Sequence, residues 1–149
     1  MRSVLSACTT TQYQWLAVLW TAAILGGLSL PLSSLSPAQP ILGFDKLIHV
    51  VLFGVFGLLW MRVLCPPETA DMWPSLRWRG GQLFGMGVLF AGGTEVYQHV
   101  IPVRRMSDPY DALADAVGLL IGILLYGLLI RYGYVQSAQS STASASRES

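Results

Sequence analysis

The chain has 149 residues, 53% of them hydrophobic and 11% charged, and a formal net charge of +1 at pH 7. A soluble domain carries roughly 25% charged residues, so an ordinary water-soluble fold is excluded. Nucleic-acid binding is excluded with it, because that would call for a concentrated basic face instead of scattered Lys and Arg. Two cysteines, Cys8 and Cys65, are too few for a disulfide framework, and no metal-spaced pair exists. What remains is a small polytopic membrane protein of one domain.

Residues 1–13 form a short N-terminal segment whose only charge is Arg2. The apolar run from Tyr13 to Leu35 predicts a first span at roughly 14–34, closed by Pro31 and Pro37. It is read as a retained span and not as a cleaved signal, because the run is long and a single Arg precedes it. Three further runs, Leu47 to Met61, Gly80 to Thr94 and Ala116 to Ile130, predict spans at roughly 44–63, 80–100 and 110–131. Cys65-Pro66-Pro67 stops the second and Pro102 the third, while Asp108-Pro109 supplies an N-cap carboxylate and a first-position proline to the fourth. Residues 135–149, rich in Ser and Ala, are expected to be a disordered tail. The expected fold is therefore all-α: a bundle of four transmembrane helices over residues 14–134.

The three later runs are each too short, since about 15 helical residues rise only about 22 Å against a hydrocarbon core of about 30 Å. Extension brings ionisable and polar groups into the helices: Asp45 and His49 in the second, Glu95, Gln98 and His99 in the third, Asp111 and Asp115 in the fourth. In a four-span chain the first and third loops share a membrane side, which gathers Asp45, Lys46, His49, Glu95, Gln98, Arg104, Arg105, Asp108, Asp111 and Asp115 at one face. The other side holds Arg2, Arg62, Arg77, Arg79, Arg131 and Arg147 against Lys46, Arg104 and Arg105 here, which predicts both termini in the cytoplasm.

Asp108 and Asp111 are accounted for by the free N–H groups and the dipole at the start of the fourth helix. Asp115 lies a turn deeper, on a face continued by Ala114, Gly118 and Gly122, a small-residue stripe that admits another helix and turns Asp115 into the bundle. Glu95 and Gln98 are expected to share a face with Ala91 and Gly92. A carboxylate there needs a proton or a cation, and Arg104, Arg105, Lys46 and His49 are the candidates. Asp45, one turn before His49, is placed to orient the imidazole. These residues would form either a polar clasp with no ligand or a site. Because intramembrane ionisable groups are costly and three helices contribute them, the site is preferred. Trp15, Trp20, Trp60, Trp73 and Trp78 read as interface or core aromatics.

Asp45-Lys46-x-x-His49, then Glu95-x-x-Gln98-x-x-x-Pro102-x-Arg104-Arg105, then Asp111-x-x-x-Asp115-x-x-Gly118-x-x-x-Gly122, resembles the VanZ-like family of small bacterial membrane proteins over about residues 40–125. The resemblance implies a place in the bacterial inner membrane and an association with the cell envelope, the founding member being linked to low-level teicoplanin resistance. In the family pattern an arginine lies six residues before the aspartate, which selects Arg105, whereas the Pro-x-Arg spacing selects Arg104. Many members carry Asn at the position of Asp115.

Three readings follow. In the first, Arg104, Arg105, Lys46 and His49, balanced by Glu95 and Asp115, hold an anionic envelope molecule such as a lipid-linked phosphate or cell-wall precursor, for which the arginine fork is suited. In the second, Glu95 or His49 is the acid or base of a membrane enzyme acting on a lipid headgroup, although no nucleophile motif accompanies them. The third is a proton-coupled transporter, which four short helices could build only as a homo-oligomer. No cofactor pattern is present, and a metal held by His49, Glu95 and His99 has no spacing signature. Membrane lipids are the expected partners.

Overall fold

The computed structural model describes residues 9–29, 44–67, 72–100 and 109–145, with the side chains of residues 28, 29, 44, 45, 72, 73, 95, 98–100, 109 and 134–145 outside that description. Four helices and no strand are found among the described residues: α1 (Thr10–Ser29), α2 (Phe44–Leu64), α3 (Met72–Val100) and α4 (Pro109–Ala145). Two of them, over Lys46–Leu64 and Tyr110–Gly133, are long and apolar enough to cross a membrane. Leucines, valines and isoleucines lie exposed along all four helices, among them Leu19, Val51, Leu89 and Leu124, so the bundle is apolar outside as well as inside.

The helix limits differ from those expected in three places. α1 begins at Thr10 and not near residue 14, because Thr9 and Gln12 form a capping box: the Gln12 N–H donates to Thr9 Oγ1 at 3.3 Å and the Thr9 N–H donates to Gln12 Oε1 at 2.7 Å. α3 begins at Met72, eight residues before the apolar run, and Pro74 falls in its first turn, where no intrahelical N–H is required. α4 continues to Ala145, so the tail expected to be disordered from residue 135 is helical up to that point. Past Gly133 the chain holds no Gly or Pro before Ala145, and its Ala and Gln favour the helix.

Contacts at the helix ends fix the directions. Arg62 near the end of α2 lies over the Tyr13 ring at the start of α1, 4.8 Å from its centroid, so α1 and α2 run antiparallel. α3 opposes both α2 and α4, Leu76 packing near Gly127 and Leu119 near Gly87. α2 and α4 are therefore parallel, and they form the most extensive packing in the molecule. Their closeness comes from glycine. A Cβ on Gly118 would fall on the Val50 carbonyl and one on Gly122 on the Gly54 carbonyl, while one on Gly57 would stand 2.8 Å from the Leu119 carbonyl oxygen. Glycines on both helices bring backbone against backbone.

Around that seam Phe53, Phe56, Met61, Leu83, Ala91, Leu119, Tyr126 and Ile130 make a buried core, with Phe56 stacked on Phe90 at 5.7 Å between centroids. Indole N–H groups inside an apolar bundle need acceptors. Trp20 donates to the Leu52 carbonyl at 3.0 Å, and Trp60 donates to Thr21 Oγ1 at 3.2 Å, tying α1 to α2. Trp15 and Trp78 are exposed. Where α2 ends, carbonyl oxygens that no longer have an intrahelical N–H are met from both sides, Leu64 by Arg79 of α3 and Cys65 by the Tyr126 hydroxyl of α4. Burial pushes the Cys65 thiol up, with the Arg79 guanidinium opposing. Arg62, counted in sequence as a loop cation, is instead 2% exposed.

Candidate functional site

The helix directions put the starts of α2 and α4 side by side at the end opposite Arg62, Arg79 and Arg131. Lys46 and His49, three residues apart on α2, share one face, and Asp111 and Asp115, four apart on α4, share the facing one. The Gly118 and Gly122 contacts begin immediately below, so the two faces are pressed together.

Four side chains meet there in alternation. His49 Nδ1 and Asp115 Oδ1 are 2.9 Å apart, a hydrogen bond between buried groups. The other ring nitrogen, Nε2, stands 3.9 Å from Asp111 Oδ2. The second oxygen of that carboxylate, Oδ1, accepts from Lys46 Nζ at 3.2 Å. The sequence in space is Asp115, His49, Asp111, Lys46, taken alternately from α4 and α2. Side-chain exposure rises along it from 2 to 8, 12 and 38%. The ammonium end also lies over the Tyr110 ring, 5.6 Å from its centroid.

This geometry extends the sequence reading, for the carboxylate on His49 Nδ1 is Asp115 of α4. The expectation that Asp45 orients His49 lies outside the described residues, since position 45 is described only as backbone within α2. Tyr110 drew no notice in the sequence, since an aromatic residue in the first turn of a helix carries no signal until the cation over it is located. Asp115, expected to turn inward, is buried.

The α3 contribution is only partly placed. Its inward stripe is Gly80, Leu83, Gly87, Ala91 and Thr94, so the expectation that Ala91 and Gly92 share an inner face holds for Ala91, while Gly92 is exposed. The Thr94 hydroxyl is buried and donates to the Ala91 carbonyl at 2.7 Å, which occupies it as a donor. Glu95 and Gln98 are on α3 at this same end of the bundle, and their side chains lie outside the described residues, as do Arg104, Arg105 and Asp108 altogether. Among the described residues no three metal-ligating side chains gather to hold an ion.

Chemically, the arrangement keeps a buried imidazole in one orientation by a carboxylate on Nδ1 and turns Nε2 toward a second carboxylate. It can hold a proton at a fixed place between two helices, and it presents one cation at the surface.

Among the described residues the protein is helical, with two parallel helices long and apolar enough to cross a membrane and a cluster of ionisable residues buried between them. A family model described as VanZ/LLP1 matches residues 5–130. The chain belongs to the VanZ/LLP1 family, and the match takes in α1, α2, α3 and most of α4. No curated protein matches the chain, and no solved structure does.

Proposed function

We propose that the protein is a multi-pass component of the bacterial inner membrane that binds an anionic envelope molecule, a lipid-linked phosphate or cell-wall precursor, at the end of the bundle where α2 and α4 begin. The observation that carries the reading is the gathering of Lys46, His49, Asp111 and Asp115 from two helices at that one end. In this scheme the α2–α4 cluster is the frame. Arg104 and Arg105, which lead into α4 in sequence, supply the grip, because guanidinium can bond a phosphate in two places. An effect on teicoplanin susceptibility would follow from sequestering or presenting such a molecule.

If the grip is bidentate, Arg105→Lys loses ligand retention nearly as completely as Arg105→Ala, whereas Arg104→Lys keeps most of it, since Arg105 has the family's distance to Asp111. Lipid phosphate co-purifying with the protein, measured by native mass spectrometry at matched membrane abundance, is the readout. Retention in both lysine variants would sink the bidentate grip.

The orientation follows from the cation count, which sets Arg62, Arg77, Arg79 and Arg131 on the cytoplasmic side with both termini and leaves the polar cluster outside. In a cysteine-free background, Ser36→Cys and Ser107→Cys are expected to react with impermeant maleimide on intact cells and Ser75→Cys is not. Labelling confined to Ser75→Cys reverses the face.

A second reading, an acid–base enzyme acting on a lipid headgroup, is favoured by one observation: Asp115 holds His49 through Nδ1 and turns Nε2 toward the Asp111 carboxylate at 3.9 Å, an arrangement suited to passing a proton. Turnover of lipid-linked phosphate by wild type and not by His49→Gln is its test.

A further inference from the structure

The end of the bundle away from the polar cluster, where α3 begins and α4 leaves its apolar stretch, holds Arg62, Arg77, Arg79 and Arg131. The structure divides these four. Arg62 is buried against the Tyr13 ring, and Arg79 donates to the Leu64 carbonyl. Arg77 and Arg131 are exposed, and neither has a hydrogen bond or ion pair among the described residues. Asp111 and Asp115, the carboxylates whose side chains are described, both lie at the opposite end, so among the described residues this positive charge is uncompensated.

The two exposed arginines flank one seam. Leu76 packs near Gly127, which sets the start of α3 against the last apolar turns of α4. Arg77 follows Leu76 directly, and Arg131 lies one turn beyond Gly127 on the α4 face that meets α3. At about 1.5 Å of rise per residue their positions differ by about 8 Å in height, comparable to the thickness of one headgroup layer. Each arginine is followed by an exposed aromatic residue, Trp78 at 71% and Tyr132 at 65% exposure. Amphipathic rings of this kind settle at the level of the headgroups. Leu128 and Leu124, three and seven residues before Arg131, are exposed on the same side of α4, so the surface continues inward as hydrocarbon. A cation above, an aromatic ring beside it and leucines below match a molecule with an anionic head and acyl chains.

Resting on the multi-pass reading above, we infer that Arg77 and Arg131, with Trp78 and Tyr132, form a contact surface for an anionic phospholipid of the leaflet at this end. Its phosphate is held by charge, and its acyl chains lie along Leu128 and Leu124. The surface uses none of the residues of the polar cluster.

The test uses the full chain in vesicles of equimolar phosphatidylcholine and phosphatidylglycerol, with brominated acyl chains on one lipid or the other to quench tryptophan fluorescence. Subtracting the signal of Trp78→Phe isolates quenching at the contact, and the ratio between the two brominated lipids gives the local preference. Wild type is expected to favour phosphatidylglycerol. Arg77→Gln and Arg131→Gln are each expected to lower that preference about fivefold, the scale of one basic side chain at an anionic surface. Arg77→Lys and Arg131→Lys are expected to keep most of it, because a point charge suffices. Lys46→Gln, at the opposite end, is expected to leave it unchanged. Since Arg77 and Arg131 are exposed and bond to no described residue, their loss is not expected to disturb the fold, which gel filtration of each variant checks. Equal quenching by both lipids in wild type overturns the inference, and so does wild-type preference in the variant carrying both Arg77→Gln and Arg131→Gln. Loss of preference in the lysine variants overturns the contact by charge. Quenching by neither lipid overturns the multi-pass reading instead, since Trp78 would then meet no bilayer.

Discussion

Gly122→Leu is expected to leave almost no folded protein. The atoms that a Cβ at this position would strike belong to the Gly54 backbone and, at 3.0 Å, to the Leu58 nitrogen, so no side chain can swing away to make room. Overpacking that side chains can absorb costs about 1–3 kcal/mol, out of a stability of about 5–15 kcal/mol for a whole domain. Here the whole of α2 must move from α4, which also parts His49 from Asp115 and Tyr126 from the Cys65 carbonyl. Gly118→Leu should behave alike, against the Val50 carbonyl. Gly81→Ala and Gly92→Ala are the controls, since nothing lies within 4 Å of a Cβ at either. They should be neutral, or stabilising by up to about 1 kcal/mol through helix propensity. The fraction of protein remaining monodisperse after heating in detergent measures all four. Equal survival of Gly122→Leu and Gly92→Ala would show that α2 and α4 are not seated on each other.

Asp115→Ala is expected to be the most damaging change at the polar cluster. It leaves His49 buried without the carboxylate on Nδ1, and breaking one side of a buried pair costs about 3–5 kcal/mol, because the survivor keeps its desolvation penalty. Asp115→Asn should lose far less, since the amide oxygen can still accept from Nδ1. That fits the asparagine which the family resemblance implies at this position in many members. A double-mutant cycle with His49→Ala separates pair from parts: the double variant should be much more stable than the two single losses added together. Additive losses in detergent melts would mean that the contact contributes no coupling.

Much of the fold was legible because its punctuation is local. Apolar runs bounded by Cys65-Pro66-Pro67 and Asp108-Pro109 located α2 and α4, and the Ala114, Gly118, Gly122 spacing showed which face of α4 would be covered. Thr9-x-x-Gln12 also lies in the sequence, but its weight depends on an apolar periodicity that begins only several residues later. The long α4 was misjudged because its Ser-rich end has little to bury, and burial was taken as the condition for order. Partners could not be read at all. His49 Nδ1 bonds a carboxylate 66 residues later, a pairing made by the register of two helices. The burial of Arg62 escaped notice for the same reason, since it depends on Tyr13 from another helix. Lys46 and Asp111 could be assigned to the same end of the bundle, but which of the cations and acids gathered there would pair depended on α2 and α4 being adjacent.

The parallel pairing of α2 with α4 also constrains how the chain is made. Lys46 and Asp111 are 65 residues apart, and in the proposed multi-pass arrangement a translocon would release the helices in the order of synthesis. When α2 leaves the ribosome, its carboxylate partners have not been translated, and α3 must emerge and reverse direction before they are. During that interval the imidazole of His49 faces lipid, water or a helper protein. The nascent chain is therefore least protected between the second and fourth helices, and a membrane chaperone or quality-control protease that inspects it would find its target in that window.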